Sequence, residues 1–272
     1  MAAKLLPEFM DVEGKVILVT GGAVGIGAGL VKELLSQNAR HVAFLDVLDR
    51  EGVALEGELL NKFGALRAKF IKCDISDERQ LSAAYQLVMD KYRRLDAVVN
   101  NAAVFSEENY KKMVDVNFTA TVTSTYKALE VMSVDKGGSG GVVLNISSLM
   151  ALKPQENFHL PVYAATKTAV LHFSNHIATQ ESYSKTQVRI VTVCLGLTDT
   201  ALLHRHKFET QESKSLASQL PEKQRVTSAV SGIMFVIRRA ESGSTWIIAD
   251  DEPPIDVTCT VREGFRCVAT AI

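Results

Sequence analysis

The sequence lacks the marks of a secreted, membrane-spanning or nucleic-acid-binding chain. Only four cysteines occur in 272 residues, Cys73, Cys194, Cys259 and Cys267, and none has CxxC spacing. That scatter argues against a disulfide scaffold or a zinc motif, and a Cys259–Cys267 bridge is disfavoured in a reducing compartment. Lys and Arg number 30 against 31 Asp and Glu, with no block of five or six like charges. Neither nucleic acid nor an anionic membrane surface is therefore an expected partner. No stretch reaches the roughly 18 uninterrupted apolar residues of a membrane span, and the start, MAAKLLPEF, has no sustained apolar h-region. The final VATAI matches no retention, peroxisomal or prenylation signal. The expectation is a soluble, cytoplasmic protein.

What is present is a chain 47% apolar and 22% charged, long enough for one large core. Short β-rich runs alternate with longer amphipathic stretches, at Val16–Thr20, His41–Asp46, Ala68–Lys72, Ala97–Asn100, Val142–Ile146, Val188–Val193 and Thr245–Ile248. That rhythm predicts βαβ units. Runs such as VILV and VVLNI are apolar at consecutive positions, which suits a parallel sheet covered on both faces. The predicted fold is a single-domain α/β, Rossmann-like, doubly wound parallel sheet of about seven strands flanked by helices. The nucleotide-binding unit is expected over residues 12–248, with the polar stretch 199–225 as a substrate lid and 249–272 as a tail without a clear period. KGGSGG at 136–141 reads as a loop where a helix turns back into a strand.

TGGAVGIG at 20–27 follows the first strand directly and opens a helix to about Gln37. Gly21 and Gly25 allow the chain to turn and bring N–H groups toward a pyrophosphate. Gly27 permits close helix-to-sheet packing, and the helix N-terminus, starting near Ile26, favours negative charge. Asp46 ends the second strand nineteen residues after Gly27, where a dinucleotide site places an acid on the adenosine ribose. A carboxylate there repels a 2′-phosphate, and neighbouring Val24 and Val47 supply no cation, so NAD is favoured over NADP. Asp74 and Ile75, at the third strand end, stand where an adenine ring could lie.

Tyr163 and Lys167 occur in PVYAATK, and a spacing of four on a helix places both on one face. A free tyrosine, with pKa near 10, is a poor base at neutral pH, but an ammonium and a cationic nicotinamide both favour phenolate. The pair is a plausible acid/base device, although YxxxK alone is common.

TGGAVGIG, Asp46, CD at 73–74, NNAA at 100–103, Asn117, NISS at 145–148 and YAATK occur in this order. The ordered set resembles the short-chain dehydrogenase/reductase family. Within it, the stretch 100–154 is similar to the group holding 15-hydroxyprostaglandin dehydrogenase and insect alcohol dehydrogenases. The resemblance implies an NAD-dependent alcohol dehydrogenase and a homodimer or homotetramer. It also implies that Asn100 and Asn101 belong to an element that supports the sheet and, with Ala102, lies under the cofactor, that Asn117 belongs to a proton relay, and that Thr200 reaches the carboxamide. Ser148 would orient the substrate oxygen, with Ser147 its competitor; Tyr163 would exchange the proton, and Lys167 would hold the nicotinamide ribose. A hydroxyl aimed at the carbonyl oxygen stabilises the charge that develops as hydride moves.

The chain departs from the family pattern at four places. Leu195 replaces the usual proline before Gly196, Ala103 and Ala151 replace glycines, and Ser148 lies fifteen residues before Tyr163, two more than is common. Leu160 stands where the prostaglandin enzyme carries glutamine, which points away from a prostaglandin. Val104, Phe105, Leu149, Leu152, Phe158, Leu160, Leu195 and Leu197 are candidate walls for an apolar alcohol. His172 and His176 have metal-ligand spacing, but with Ala165 and Ala169 they suit a dimer face better, and no metal is expected. His204, Arg205 and His206 read as a solvated loop. The same residues would support a carbonyl reductase, and an NAD(H)-binding protein with little turnover is the alternative from another class.

Overall fold

The computed structural model describes residues 9–153, 160–200 and 223–270. Its strands are β1 (Val16–Thr20), β2 (His41–Asp46), β3 (Ala68–Lys72), β4 (Ala97–Asn100), β5 (Gly141–Ser148), β6 (Val188–Leu195), β7 (Thr245–Ile248) and β8 (Ile255–Asp256). They form one sheet in the order β3-β2-β1-β4-β5-β6-β7-β8. Every pairing is parallel except β7 with β8. The expected seven strands are all present, and β5 and β6 each run two residues further at their C-terminal ends, to Ser148 and Leu195.

All residues of β1, β2, β4 and β6 are buried, because helices cover both faces. On one face Ile17 and Val19 pack with Leu30 and Leu34 of α1 (Gly25–Ser36), Leu55 and Leu59 of α2 (Asp49–Phe63) and Ile233 of α8 (Val226–Arg239). On the other, Val16 and Leu18 pack in a cluster with Leu81 and Tyr85 of α3 (Glu78–Tyr92) and Ala128 and Met132 of α5 (Ala120–Met132). Alternate residues of one strand thus serve opposite layers, as the period of two requires.

The chain between β4 and β5 runs from α4 (Tyr110–Val114) through a π-helical turn at Asp115–Thr119 into α5. Of KGGSGG, residues 137–140 form the loop between a 3-10 turn at Val134–Lys136 and β5, and Gly141 opens the strand. α6 (Pro161–Ile177) and α7 (Gln180–Thr186) then lead to β6. The tail, which had no legible period, forms β8 and α9 (Thr258–Ala269). β8 pairs antiparallel with β7 through Trp246 and Ile247; at two residues it is too short to show an alternation in the sequence. No helix among the described residues is long and apolar enough to cross a membrane.

β1 lies between β2 and β4, so the connections leave it in opposite directions. A doubly wound sheet opens a crevice at this switch point, outside the C-terminal ends of the strands. The glycine loop after β1, Asp46 at the end of β2, Ser148 at the end of β5 and Leu195 at the end of β6 stand along that edge.

Candidate active site

The glycine loop joins β1 to α1 at the switch point. Gly21 has φ +65°, and a Cβ there would stand 2.8 Å from Ala102 Cα. A Cβ at Gly27 would stand 2.0 Å from the Gly21 carbonyl oxygen and 2.9 Å from Asn101 Nδ2. The loop is compressed against the end of β4, and only the missing side chains permit it. Ile26 packs partly against the core below.

Thr20 and Asn101 lock this contact. The Thr20 hydroxyl accepts from the Asn101 and Ala102 N–H groups at 3.0 and 3.1 Å, and Asn101 Nδ2 donates to the Thr20 and Gly21 carbonyls at 3.0 and 3.1 Å. Thr20 was not among the sequence candidates; its role depends on the close approach of β1 and β4, 80 residues apart. On the far side, Thr200 Cγ2 would be 3.5 Å from a Cβ on Gly25, so Thr200 and the glycine loop face one another.

Asp46 is 9% exposed at the end of β2. Its Oδ2 accepts from Ala23 N–H at 3.0 Å and its Oδ1 from Leu48 N–H at 3.1 Å. Each oxygen keeps a second lone pair for a ribose hydroxyl. Beside it Val47 is exposed and offers nothing to a phosphate. Asp74 is held differently: Lys112 Nζ donates to its Oδ2 at 2.6 Å, and Ser76 donates to Oδ1. Partial burial works to raise the Asp74 carboxyl, but these hydrogen bonds outweigh it and hold it below the usual range. Ile75 is buried in the core beside α3. The cradle closed to side chains, the acid at the end of β2 and the opposed threonine together fit a dinucleotide.

At the reacting end, β5 presents two serines with opposite fates. Ser147 is buried, and its hydroxyl donates to the Lys167 carbonyl at 2.7 Å, fastening α6 to the sheet. Ser148 is half-buried, and its Oγ accepts from Met150 N–H at 3.2 Å. The Ser148 hydroxyl also stands close enough to the Tyr163 phenol to act on its ionisation, favouring the phenolate. The alternation of a strand places the two on opposite faces.

Tyr163 and Lys167 occupy one face of α6, with Lys167 Nζ 5.7 Å from the Tyr163 ring centroid. Lys167 is buried, and its ammonium donates to the Ile146 carbonyl at 3.0 Å. Desolvation pushes the phenol up to about 12, against the opposing influence of the Ser148 hydroxyl, and pushes Lys167 down to about 8. Lys167 at this separation does not by itself make Tyr163 a base; a further positive charge must act on the phenol.

Asn117 sits buried in the π-helical turn, a distortion frequent at functional sites. Its Oδ1 accepts from Val104 N–H at 2.8 Å, and its Nδ2 donates to the Val104 carbonyl at 3.0 Å and to Thr166 Oγ1 at 3.4 Å. The side chain thus clamps the loop after β4 to α6. In that loop Phe105 meets the Tyr163 ring edge-on, 5.0 Å between centroids. Glu107, two residues on, accepts from the Val162 and Tyr163 N–H groups at 3.2 and 3.0 Å. No local pattern marks Glu107, whose partner helix lies more than 50 residues away.

Leu160 is half-buried at the N-cap of α6, and Leu195 is buried at the end of β6, paired with Ser148 and Ile248. With leucine instead of proline there, the backbone keeps an N–H donor at that position. Leu149, Leu152 and Leu197 are half-buried nearby in the chain; Phe158 and His204 to His206 lie outside the described residues, as does most of 199–225. The His172 ring packs 4.4 Å from Phe265 of α9 and 5.8 Å from His176, and no group of three or more metal-ligating side chains occurs among the described residues.

A family model described as short chain dehydrogenase matches residues 15–211. 15-Hydroxyprostaglandin dehydrogenase [NAD(+)] of Homo sapiens is 38% identical over 194 residues, covering 71% of this chain and 72% of that protein. Alcohol dehydrogenase 2 of Ceratitis capitata is 29% identical over 242 residues, 88% of this chain and 92% of that one. Among solved structures, levodione reductase superposes with TM-score 0.75 at 19% identity, over 87% of this chain and 96% of its own. A 3-ketoacyl-(acyl-carrier-protein) reductase from Brucella melitensis, complexed with NADH, superposes with TM-score 0.74 at 22% identity, over 88% and 98%.

Proposed function

The chain belongs to the short-chain dehydrogenase family, and from that premise we propose an NAD-dependent oxidoreductase acting between nicotinamide and a secondary or allylic alcohol of apolar character, or its carbonyl. The observation that carries this reading is the meeting of Ser148, Tyr163 and Lys167 at the sheet edge beside the glycine loop. The relatives named for NAD and for alcohol substrates support it.

Gly21, Gly25, Ile26 and Gly27 would cradle the pyrophosphate, and Asp46 would bind the adenosine ribose. Asp74 and Ile75 would border the adenine, Asn101 and Ala102 would lie beneath the dinucleotide, and Thr200 would meet the carboxamide. NAD supplies the hydride acceptor and a positive ring charge when bound. In the oxidative direction Tyr163 removes the hydroxyl proton of the alcohol, and Ser148 donates a hydrogen bond to the oxygen as its charge develops. Lys167 holds the nicotinamide ribose and stabilises the phenolate, while Asn117 supports the proton path. Leu160 and Leu195 border an apolar substrate. The carboxylate of Asp46 discriminates against NADP, which favours oxidation as the working direction.

In this reading residues 12–248 form the catalytic unit, 199–225 act as its substrate lid and 249–272 extend the unit through β8. The protein works in the cytoplasm as a homodimer or homotetramer. Exposed Ala165 and His176 on α6 and exposed Tyr126 on α5 support self-association, and sedimentation tests it.

The deciding experiment supplies NAD and a panel of alcohols, including 2-octanol and geraniol, and follows NADH formation for the native chain and Tyr163→Phe. Loss of turnover in the variant with NADH binding intact supports the mechanism. Undiminished turnover overturns it, and a native chain that binds NADH without turnover on any member identifies a nucleotide-binding protein.

A further inference from the structure

α6, the helix that carries Tyr163 and Lys167, begins without a cap of its own. Leu160 occupies the N-cap and makes no side-chain hydrogen bond to the first turn. Pro161 lacks an N–H, so the first donors left over are those of Val162 and Tyr163. Both are taken by one carboxylate from elsewhere in the chain: Glu107 Oε2 accepts from Val162 N at 3.2 Å and Oε1 from Tyr163 N at 3.0 Å.

The loop that supplies Glu107 is itself pinned to α6. Asn117 makes both backbone hydrogen bonds to Val104 and reaches Thr166. Thr166 Oγ1 donates to the Tyr163 carbonyl at 2.7 Å, and the Phe105 ring leans on the Tyr163 ring. Backbone N–H, backbone carbonyl and aromatic ring of Tyr163 are therefore each held, directly or through Thr166, by the segment between β4 and α5. A capping carboxylate at a helix start also gains from the helix dipole.

We propose that Glu107 is a positioning residue for the proton-transfer step, a cap in trans that fixes the first turn of α6 so that Tyr163 meets Ser148. This rests on the role given to Tyr163 above. Small displacements of a reacting group cost rate heavily, whereas cofactor affinity, set at the glycine loop and Asp46, is separate.

The test compares the native chain, Glu107→Ala, Glu107→Gln and Tyr163→Phe. The readouts are NAD-dependent oxidation of the fastest alcohol in the panel, NADH binding by fluorescence, and amide hydrogen exchange over 160–167. Glu107→Ala should lower kcat about tenfold or more with the KM for NAD and NADH affinity within about twofold. Exchange at the start of α6 should be faster. Glu107→Gln, which keeps an acceptor oxygen, should recover most of the lost rate. The proposal is overturned if Glu107→Ala leaves kcat and exchange at native values. It is also overturned if kcat, cofactor affinity and melting temperature fall together without rescue by Gln, since that pattern is general loss of structure. Full activity in Tyr163→Phe would instead remove the assigned role of Tyr163. With no turnover in the panel, unchanged exchange in Glu107→Ala would still overturn the latch and faster exchange would support it.

Discussion

The Asp46 carboxylate accepts a hydrogen bond from the Ala23 N–H at 3.0 Å, tying the acid at the end of β2 to the glycine loop that follows β1. The two parts proposed to hold the ribose and the pyrophosphate are thereby fixed to one another.

Asp46→Ala should reduce kcat/KM for NAD by roughly ten- to a hundredfold, the cost of a charge-assisted hydrogen bond. NADP, no longer repelled, should gain. Steady-state kinetics with both nucleotides checks the direction, and an unchanged NAD-to-NADP ratio would remove Asp46 from the ribose site.

The two serines should separate cleanly. Ser148→Ala should lower kcat by about a hundredfold, the usual loss when a donor to the developing oxyanion is removed. Ser147→Ala should mainly cost stability, about 1 kcal/mol for its buried bond to the Lys167 carbonyl. Kinetics and denaturant unfolding on both variants distinguish them; the reverse outcome would exchange their roles.

Glycines in two helices should respond with opposite signs. Gly27→Ala forces a Cβ against backbone at 2.0 Å and should lower the melting temperature and abolish NADH binding. Gly57 lies within α2 with nothing within 4 Å of an added Cβ, so Gly57→Ala should stabilise by about 0.5–1 kcal/mol.

A buried polar chain crosses the molecule. Tyr85 bonds Ser124, Ser124 donates to Asn100, Asn100 donates to Asn145, and Asn145 donates to Ser174 of α6, at 2.6–2.9 Å. Asn145→Leu strands partners on both sides and should cost about 2–4 kcal/mol, read as a lower urea midpoint. A change under about 0.5 kcal/mol would show that the partners re-pair.

His41 should govern acid stability. Its ring is buried, stacked 4.2 Å from Tyr92, with Nδ1 2.8 Å from the Leu66 carbonyl. Burial lowers its pKa to about 4; Lys91 and Arg40 act in the same direction, while the Leu66 carbonyl and Glu56 oppose it. The unfolded chain therefore binds more protons than the folded one between about 4 and 6.5. Stability from this group is complete above pH 6.5 and is lost as pH falls toward 4. Melting temperature should climb over that window in the native chain and less so in His41→Phe.

Strand positions, sheet class, the glycine loop, Asp46 and the Tyr163–Lys167 pair were legible because each rests on local information. A run of consecutive apolar residues, a glycine after a strand and a spacing of four on a helix all have physical meaning within a few residues. The choice between Ser147 and Ser148 was not local, since both end the same strand and only the packing of α6 shows which hydroxyl is spent on backbone. Thr20 and Glu107 were invisible for the same reason, their partners lying 81 and 55 or 56 residues away. Within the tail, β8 is two residues long and shows no period of its own; its place is given by pairing along the edge of β7. Sequence by itself determined the seven parallel strands and the motifs at their ends; tertiary structure decided the order of the tail and which polar groups face the site and which hold the scaffold, because hydrogen-bond partners are assigned by spatial proximity, to which spacing along the chain is blind.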